Sequence, residues 1–306
     1  MDKGILVSVL VLTYNASKTV IETLESIYRQ DYENIELVIA DDASTDDTIE
    51  VVNSWYNDHS ERFSGYVVNV QPKNGGVPAN LNAGIRKSNG KYIKIIASDD
   101  LLSEDCISTN VEICEKNGYR HLITWLKKFS DGPNGRTFEK VQPDLDFFSS
   151  SAQEQYNTLL KGNIVYGCLF FAEKAFIEEM GMYDERYTLI EDYPMWIKMT
   201  RQGNKFNFHN AVTVFYRISD SSLCNFVGTK AVNERYIKSY DMFVKNEIIP
   251  PLLKKLSIYP LLRHWRNIFY HWLLIALGND RQKRSVRVTE YFFMRKYLSR
   301  FRQNKK

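Results

Sequence analysis

The stretch Lys91-Tyr-Ile-Lys-Ile-Ile-Ala-Ser-Asp-Asp100 decides how the chain is read. Tyr92 to Ala97 has the β-branched and aromatic character of a short buried strand, and it stops at two adjacent carboxylates. Two anions side by side repel each other. At the exposed end of a strand they suit a hard divalent cation, because carboxylate oxygens are preferred ligands of Mg2+ and Mn2+ and the cation removes the repulsion. The pair also fits a plain turn, with Asp capping a helix that starts near Ser103-Glu104-Asp105. The surrounding segments weigh between the two.

Upstream, the spacing predicts a buried strand over residues 5–13 and a helix over 18–30 with Val20, Leu24, Ile27 and Tyr28 on one side. A second strand over 35–40 ends in Asp41-Asp42, and Ser44-Thr-Asp-Asp47 has the form of a capping box opening a helix through Val51, Val52 and Trp55. Residues 66–70, 77–87 and 92–97 add strand, helix and strand. This alternation predicts parallel strands joined by crossovers, hence an α/β open sheet. Ligands of such sheets sit beyond the carboxyl ends of the strands. Thr13-Tyr14-Asn15, Asp41-Asp42 and Asp99-Asp100 all fall there.

That placement points to a nucleotide site, and residue type narrows its kind. The turn after the first strand is Thr-Tyr-Asn-Ala-Ser17, without the glycines or the lysine by which a phosphate-cradling loop works. Phosphate must be held by something else, and a cation on Asp99 and Asp100 is the candidate. Asp42 is an acceptor-only group suited to a base or ribose.

The chain of 306 residues, 44% hydrophobic and 13% aromatic, can bury a substantial core and is long for one domain but short for two. A main domain over 1–225 and a helical, basic extension over 226–306 are expected. The net charge of +3 is unevenly spread: residues 281–306 hold ten Lys or Arg against one Glu, leaving 30 basic against 36 acidic residues elsewhere. Cys106, Cys114, Cys168 and Cys224 form no CxxC pair and read as reduced thiols. The first residues do not have the form of a cleaved signal peptide, and no apolar run is long enough to span a bilayer, so a cytoplasmic location is expected.

Six short segments, Val7-Ser-Val-Leu-Val-Leu-Thr-Tyr-Asn15, Ile39-Ala-Asp-Asp-Ala-Ser-Thr-Asp46, Asn74-Gly-Gly76, Asn82-Ala-Gly84, Ala97-Ser-Asp-Asp100 and Ile190-Glu-Asp-Tyr-Pro-Met-Trp196, occur in the order they have in the family 2 glycosyltransferases of the GT-A fold. Over residues 5–217 the chain closely resembles that family. The resemblance implies a Rossmann-like, mostly parallel sheet flanked by helices, and inverting transfer of a sugar from a nucleotide donor, usually UDP-linked, with Mn2+ or Mg2+. It assigns Asp42 to the uracil ring, Thr13, Tyr14 and Asn15 to the nucleoside pocket, and Asn82 to the loop under the nucleotide. Asp99 and Asp100 fall to the diphosphate and metal. Because the family commonly has an acid at the position of Ser98, the variant here leaves Asp100 as the direct metal ligand and Asp99 as a sugar or ribose contact.

An inverting transfer is a single displacement at the anomeric carbon, which needs a base for the acceptor hydroxyl proton and an electrophile for the departing diphosphate. The metal serves the second need. Asp192, opening a helix with Pro194 in its first turn, is the expected base, and it also suits a plain N-cap. Glu191 and Trp196, in the matching motif, are placed on the acceptor side. Many relatives carry a histidine in a Tyr-Arg-x-His pattern that completes the metal site; this chain reads Tyr216-Arg-Ile-Ser219. His209 reads as a strand-end or core histidine, and Arg217 as either a diphosphate partner or a core-bridging arginine. Residues 129–151 read as a loop or hairpin insertion, and Tyr166-Gly-Cys168 as a strand on the acceptor side.

From about Gly228 the pattern is helical. Leu261, Trp265, Ile268, Trp272 and Ile275 form a stripe expected to pack against the catalytic domain or a second subunit, so a homo-oligomer is left open. Tyr291, Met294, Tyr297, Leu298 and Phe301, among Arg295, Lys296, Arg300 and Arg302, form another, which suits a helix lying on an anionic membrane. No nucleic-acid motif accompanies the charge. The function expected is an inverting glycosyltransferase extending a surface polysaccharide or glycolipid on a saccharide or lipid-linked acceptor at the inner membrane face. A non-catalytic nucleotide-sugar-binding scaffold and a sugar-phosphate nucleotidyltransferase are the alternatives; the second should show a glycine-rich basic loop after the first strand.

Overall fold

The computed structural model describes residues 4–132, 135–218 and 229–303, with side chains as far as 293. It divides into two compact units, Met1–Ile218 and Ser219–Lys306. The boundary expected at 225 lies outside the described residues, as do Ser219 and the side chains of Met294, Tyr297, Leu298 and Phe301 with their flanking cations.

In the first unit β1 (Val7–Thr13), β2 (Ile35–Asp41), β3 (Gly65–Val70) and β4 (Tyr92–Ala97) run parallel in the order β3-β2-β1-β4. The crossovers are α1 (Val20–Tyr28), α2 (Thr48–His59) and α3 (Val77–Lys87). All of β2 and all but one residue of β1 are buried, which is why these strands read as continuous apolar runs. Thr13 stands opposite Asp41 and Leu12 opposite Ala97, so three strand ends finish level on one edge. α3 sits close against the sheet at Gly84, where a Cβ would lie 2.5 Å from Leu10 Cδ1 and 2.9 Å from Ala40 Cβ.

After β4 the direction changes. β5 (Leu101–Leu102) follows the two acids directly, and α4 (Cys106–Asn117) leads into the hairpin of β6 (His121–Gly132) and β7 (Gly135–Lys140). α5 (Leu145–Ser149) and α6 (Ala152–Leu159) precede β8 (Phe170–Glu173), which lies antiparallel between β4 and β6. α7 (Lys174–Glu179) and α8 (Asp192–Arg201) precede β9 (Phe208–Arg217), parallel to β6 and antiparallel to β5. The sheet is therefore mixed, β3-β2-β1-β4-β8-β6-β9-β5 with β7 on β6, and only its first four strands carry the parallel alternation.

Two local expectations are corrected. Ser44 does not cap α2; its hydroxyl is drawn to Asp41 at 2.5 Å, and Asp46 accepts from Thr48 N at 3.1 Å instead. The capping box is at Ser151 and Glu154, opening α6. Tyr166-Gly-Cys168 is not a strand, since Gly167–Leu169 forms one 3-10 turn leading into β8.

In the second unit α9 (Glu234–Phe243) runs through a π turn, Val244–Ile248, into α10 (Ile249–Lys254); α11 (Ile258–Ala276) and α12 (Arg284–Gln303) follow. Its core gathers Ala231, Leu274 and Val286 with Val232, Tyr270 and Leu277. The stripe read from the sequence on α11 is covered unevenly in the single chain. α11 buries His264, Ile268 and Leu274, whereas Trp265 and Trp272 are 49% and 60% exposed. Among the described residues no helix is long and apolar enough to cross a membrane.

Candidate active site

The loop after β1 is pinned to the loop after β2. Thr13 is buried and donates its hydroxyl to Asp41 Oδ2 at 2.8 Å. Asn15, at a positive φ of 51°, donates its N–H to Ser44 Oγ and accepts from Thr45 N, both at 2.8 Å. Tyr14 between them is left 51% exposed, facing solvent as a platform for a ring. Thr13 thus braces the loop with its one donor committed to Asp41. Asp41, named with Asp42 at the strand end but given no role of its own from the sequence, is that brace's anchor.

Asp42 accepts from Gly75 N at 2.7 Å and Gly76 N at 2.9 Å, one on each oxygen, and each oxygen keeps a lone pair for a further donor. Gly76 has φ +88°, and a Cβ there would fall 2.1 Å from the Thr188 carbonyl oxygen, to which Val77 N donates at 2.9 Å. Asn82 is not at the edge. It is 2% exposed, with its amide spent on the Tyr183 backbone and Glu185, so it staples the 183–185 loop.

The acids at the end of β4 differ in exposure. Asp100 is 2% exposed and its Oδ1 accepts from Arg217 N at 2.8 Å; Asp99 is half-buried. Burial raises the pKa of both, and Asp100 is pushed well above the carboxylate range by burial and then by the neighbouring Asp99. The more accessible carboxylate is thus Asp99, whereas the sequence reading placed the direct metal contact on Asp100. Arg217 is the core-bridging kind: its Nε donates to the Asp99 carbonyl at 2.8 Å, its guanidinium lies 4.5 Å from the Phe129 ring centroid and it pairs with Glu22 and Asp131. Arg136 of β7 binds the same two acids.

Beneath the pair lies Lys94, fully buried, with Nζ donating to the Cys168 carbonyl at 2.7 Å and its charge opposing the rise in Asp100. Its signal was a lysine inside an otherwise apolar strand.

Among the described residues no three His, Cys, Asp or Glu side chains converge as a metal cluster. A cation shared with a diphosphate needs only one or two carboxylates, the rest being water and phosphate oxygens. Asp99 and Asp100 fit that demand, since two hard-oxygen donors stand together with negative charge that burial leaves poorly compensated.

Glu191 and Asp192 are half-buried at the start of α8. Asp192 accepts from Tyr193 N at 2.5 Å and from Asn163 Nδ2 at 3.0 Å. Burial raises both carboxyls. Asp192 is held back by the donors of Tyr193, Asn163 and Gly167, whereas Glu191 is pushed further by the Asp192 charge. Of the two, Asp192 is the carboxyl more readily ionised. Trp196 is corrected from acceptor contact to core: it is fully buried, its indole N–H donates to the Val165 carbonyl at 3.1 Å, and it packs on Phe170 and Phe206.

Gly167 joins the two acid pairs. A Cβ on it would stand 2.9 Å from Glu191 Oε1 and 3.2 Å from Asp192 Cβ, while the thiol of the next residue, Cys168, is pushed up by burial and by the charges of both Asp100 and Asp192. Gly167→Ala is accordingly expected to displace Asp192 and lower kcat by up to about 100-fold with little change in donor affinity. Steady-state kinetics beside calorimetric donor binding checks this, and an unaltered kcat would show the pair tolerates the shift.

The family model for glycosyl transferase family 2 matches residues 8–179, more than half of the chain. The chain belongs to glycosyl transferase family 2. Among relatives of this family 2 chain, the Escherichia coli UDP-Glc:alpha-D-GlcNAc-diphosphoundecaprenol beta-1,3-glucosyltransferase WfaP is 27% identical over 71% of this chain and 79% of its own length. The chain spans only about a quarter (27%) of an uncharacterized glycosyltransferase of Rickettsia bellii, also 27% identical, over 64% of this chain. Of solved structures, S. aureus TarS 1-349 in complex with UDP-GlcNAc superposes with a TM-score of 0.60 at 16% identity, covering 88% of this chain and 81% of that one. The mannosyltransferase PcManGT from Pyrobaculum calidifontis, in complex with GDP-Man and Mn2+, gives 0.53 at 19% identity over 91% and 72%. The fold of this family 2 chain is thus the GT-A fold, as the motifs implied.

Proposed function

We propose that this family 2 chain transfers a sugar, with inversion, from a UDP-sugar to a hydroxyl of a growing or lipid-linked saccharide in surface polysaccharide synthesis. The observation that carries the reading is that one turn touches the surroundings of both acid pairs: Gly167 stands against Glu191 and Asp192, and the Cys168 carbonyl accepts from Lys94 of the strand that ends in Asp99-Asp100. The acceptor oxygen attacks the anomeric carbon, its proton passes to Asp192, and the bond to the diphosphate breaks with the electron pair leaving on the UDP oxygen. Asn163, Tyr193 and Gly167 aim the Asp192 carboxylate. Asp99 with Asp100 would hold Mn2+ or Mg2+, which supplies charge neutralisation to the departing diphosphate. Tyr14 and Asp42 are the groups left for the base and ribose.

The names of WfaP and of the UDP-GlcNAc complex support a UDP donor and a diphosphate-lipid acceptor, and the basic second unit supports work at an anionic membrane face. The loop of residues 13–17 lacks the glycines of a nucleotidyltransferase, and the positioned Asp192 argues against a scaffold. Calorimetry of UDP, GDP and CDP, each with and without Mn2+, tests the reading. Metal-dependent preference for UDP is expected. Absence of binding under every condition would overturn the reading.

A further inference from the structure

The second unit leaves much of its apolar surface uncovered. On α11 the outward arc reads Ile258, Leu262, Trp265, Phe269 and Trp272, at spacing 4, 3, 4, 3, with exposures of 67, 62, 49, 52 and 60%. A surface helix ordinarily turns such a stripe inward. Here the stripe faces out, and it carries two of the chain's five tryptophans. The patch continues into the preceding turn, where Leu256 is 83% and Tyr259 75% exposed, with Lys254 and Lys255 beside them. Contiguous exposed aromatic and aliphatic surface of this kind marks a binding face.

Charge narrows what binds. Ser219–Lys306 carries 18 Lys or Arg against 6 Asp or Glu, a net +12, whereas Met1–Ile218 carries 22 against 31, a net −9. Exposed Arg266 borders the apolar arc, and half-buried Arg263 lies farther round the same helix. A second copy packed on this face would bring +12 against +12. A layer that is apolar below and anionic above matches both features at once, because aromatics settle at the headgroup boundary while lysine and arginine reach the phosphates.

We propose that α11 lies in the plane of an anionic bilayer, with Ile258, Leu262, Trp265, Phe269 and Trp272 entering the headgroup boundary and Lys254, Lys255, Arg263 and Arg266 at the level of the lipid phosphates. The proposal rests on the membrane reading above, moves the contact from the basic tail to α11, and is independent of donor and acceptor chemistry.

The full chain is sedimented with vesicles of phosphatidylcholine alone and with vesicles containing phosphatidylglycerol. It is compared with W265S/F269S/W272S, whose sites are exposed and tolerate the change, and with a tail variant in which Arg295, Lys296, Arg300 and Arg302 become Gln. Expected are preference for the anionic vesicles, a loss of about tenfold or more in the triple variant, and a smaller loss in the tail variant. Lipids brominated on the acyl chains should quench tryptophan emission in the parent and not in W265S/W272S. Equal partitioning of parent and triple variant overturns the α11 contact and leaves the tail reading standing. No binding by the parent overturns both, and a dimer that the triple variant dissolves would then identify a second copy as the occupant.

Discussion

Asp192→Asn is expected to lower turnover by about 10²- to 10⁴-fold while UDP-sugar affinity stays close to that of the parent. Asn keeps the shape and can still accept from Tyr193 N, so α8 and the Gly167 contact stay in place, but it cannot take the acceptor proton. The parent's kcat/KM should fall on the acid side with a limb above the ordinary carboxylate range of about 4, because the Asp192 pKa is raised by burial. Stability moves the other way. A carboxyl whose native pKa exceeds its unfolded value lends stability that is full below the unfolded pKa and is lost as pH rises through the native one. The amide never ionises, so the variant should be more stable than the parent at neutral pH by about 1 kcal/mol, with the difference vanishing below about pH 4. Thermal melts at the two pH values and single-turnover kinetics check both halves. Unchanged turnover would remove Asp192 from the mechanism.

Asp99→Asn is expected to abolish metal-dependent UDP binding and to lower kcat/KM by about 100-fold or more. The side chain can be changed without disturbing Arg217, which holds the Asp99 backbone carbonyl and the Asp100 side chain. What is lost is the more exposed of the two carboxylates, and with it the attraction for a cation carrying the diphosphate. Asp100→Asn should act more weakly at this step, since one of its oxygens serves Arg217 N and an amide oxygen can do the same. Titration of Mn2+ into each variant with UDP separates them. Retention of parental UDP affinity in Asp99→Asn would return the metal role to Asp100.

The first half of the fold was legible because its signals are local. The end of β4 and both ends of α3 fall where periodicity put them, and level strand ends follow from parallel register alone. The second half rests on pairings between distant segments, β4 with β8 and β6 with β9, which no local pattern encodes. Within the site, residue type named the acids but not their environment. Nothing in a single Asp-Asp dipeptide says that Asp100 faces Arg217 N and Asp99 the open edge. Asn82 and Trp196 matched motifs and proved to be supports, since a motif marks a position without stating whether its side chain is covered. The same limit holds for α11, where spacing identified a stripe and not what covers it.

The turn of residues 74–76 has Asp42 on one side and the Thr188 carbonyl on the other, three residues before Glu191. The 74–76 turn and the segment leading to α8 are thereby sewn along one seam, with no room for a methyl group at Gly76. Neither loop can be reshaped at this point by itself: any side chain added at Gly76 must push the Thr188 backbone, and with it the approach to Glu191 and Asp192.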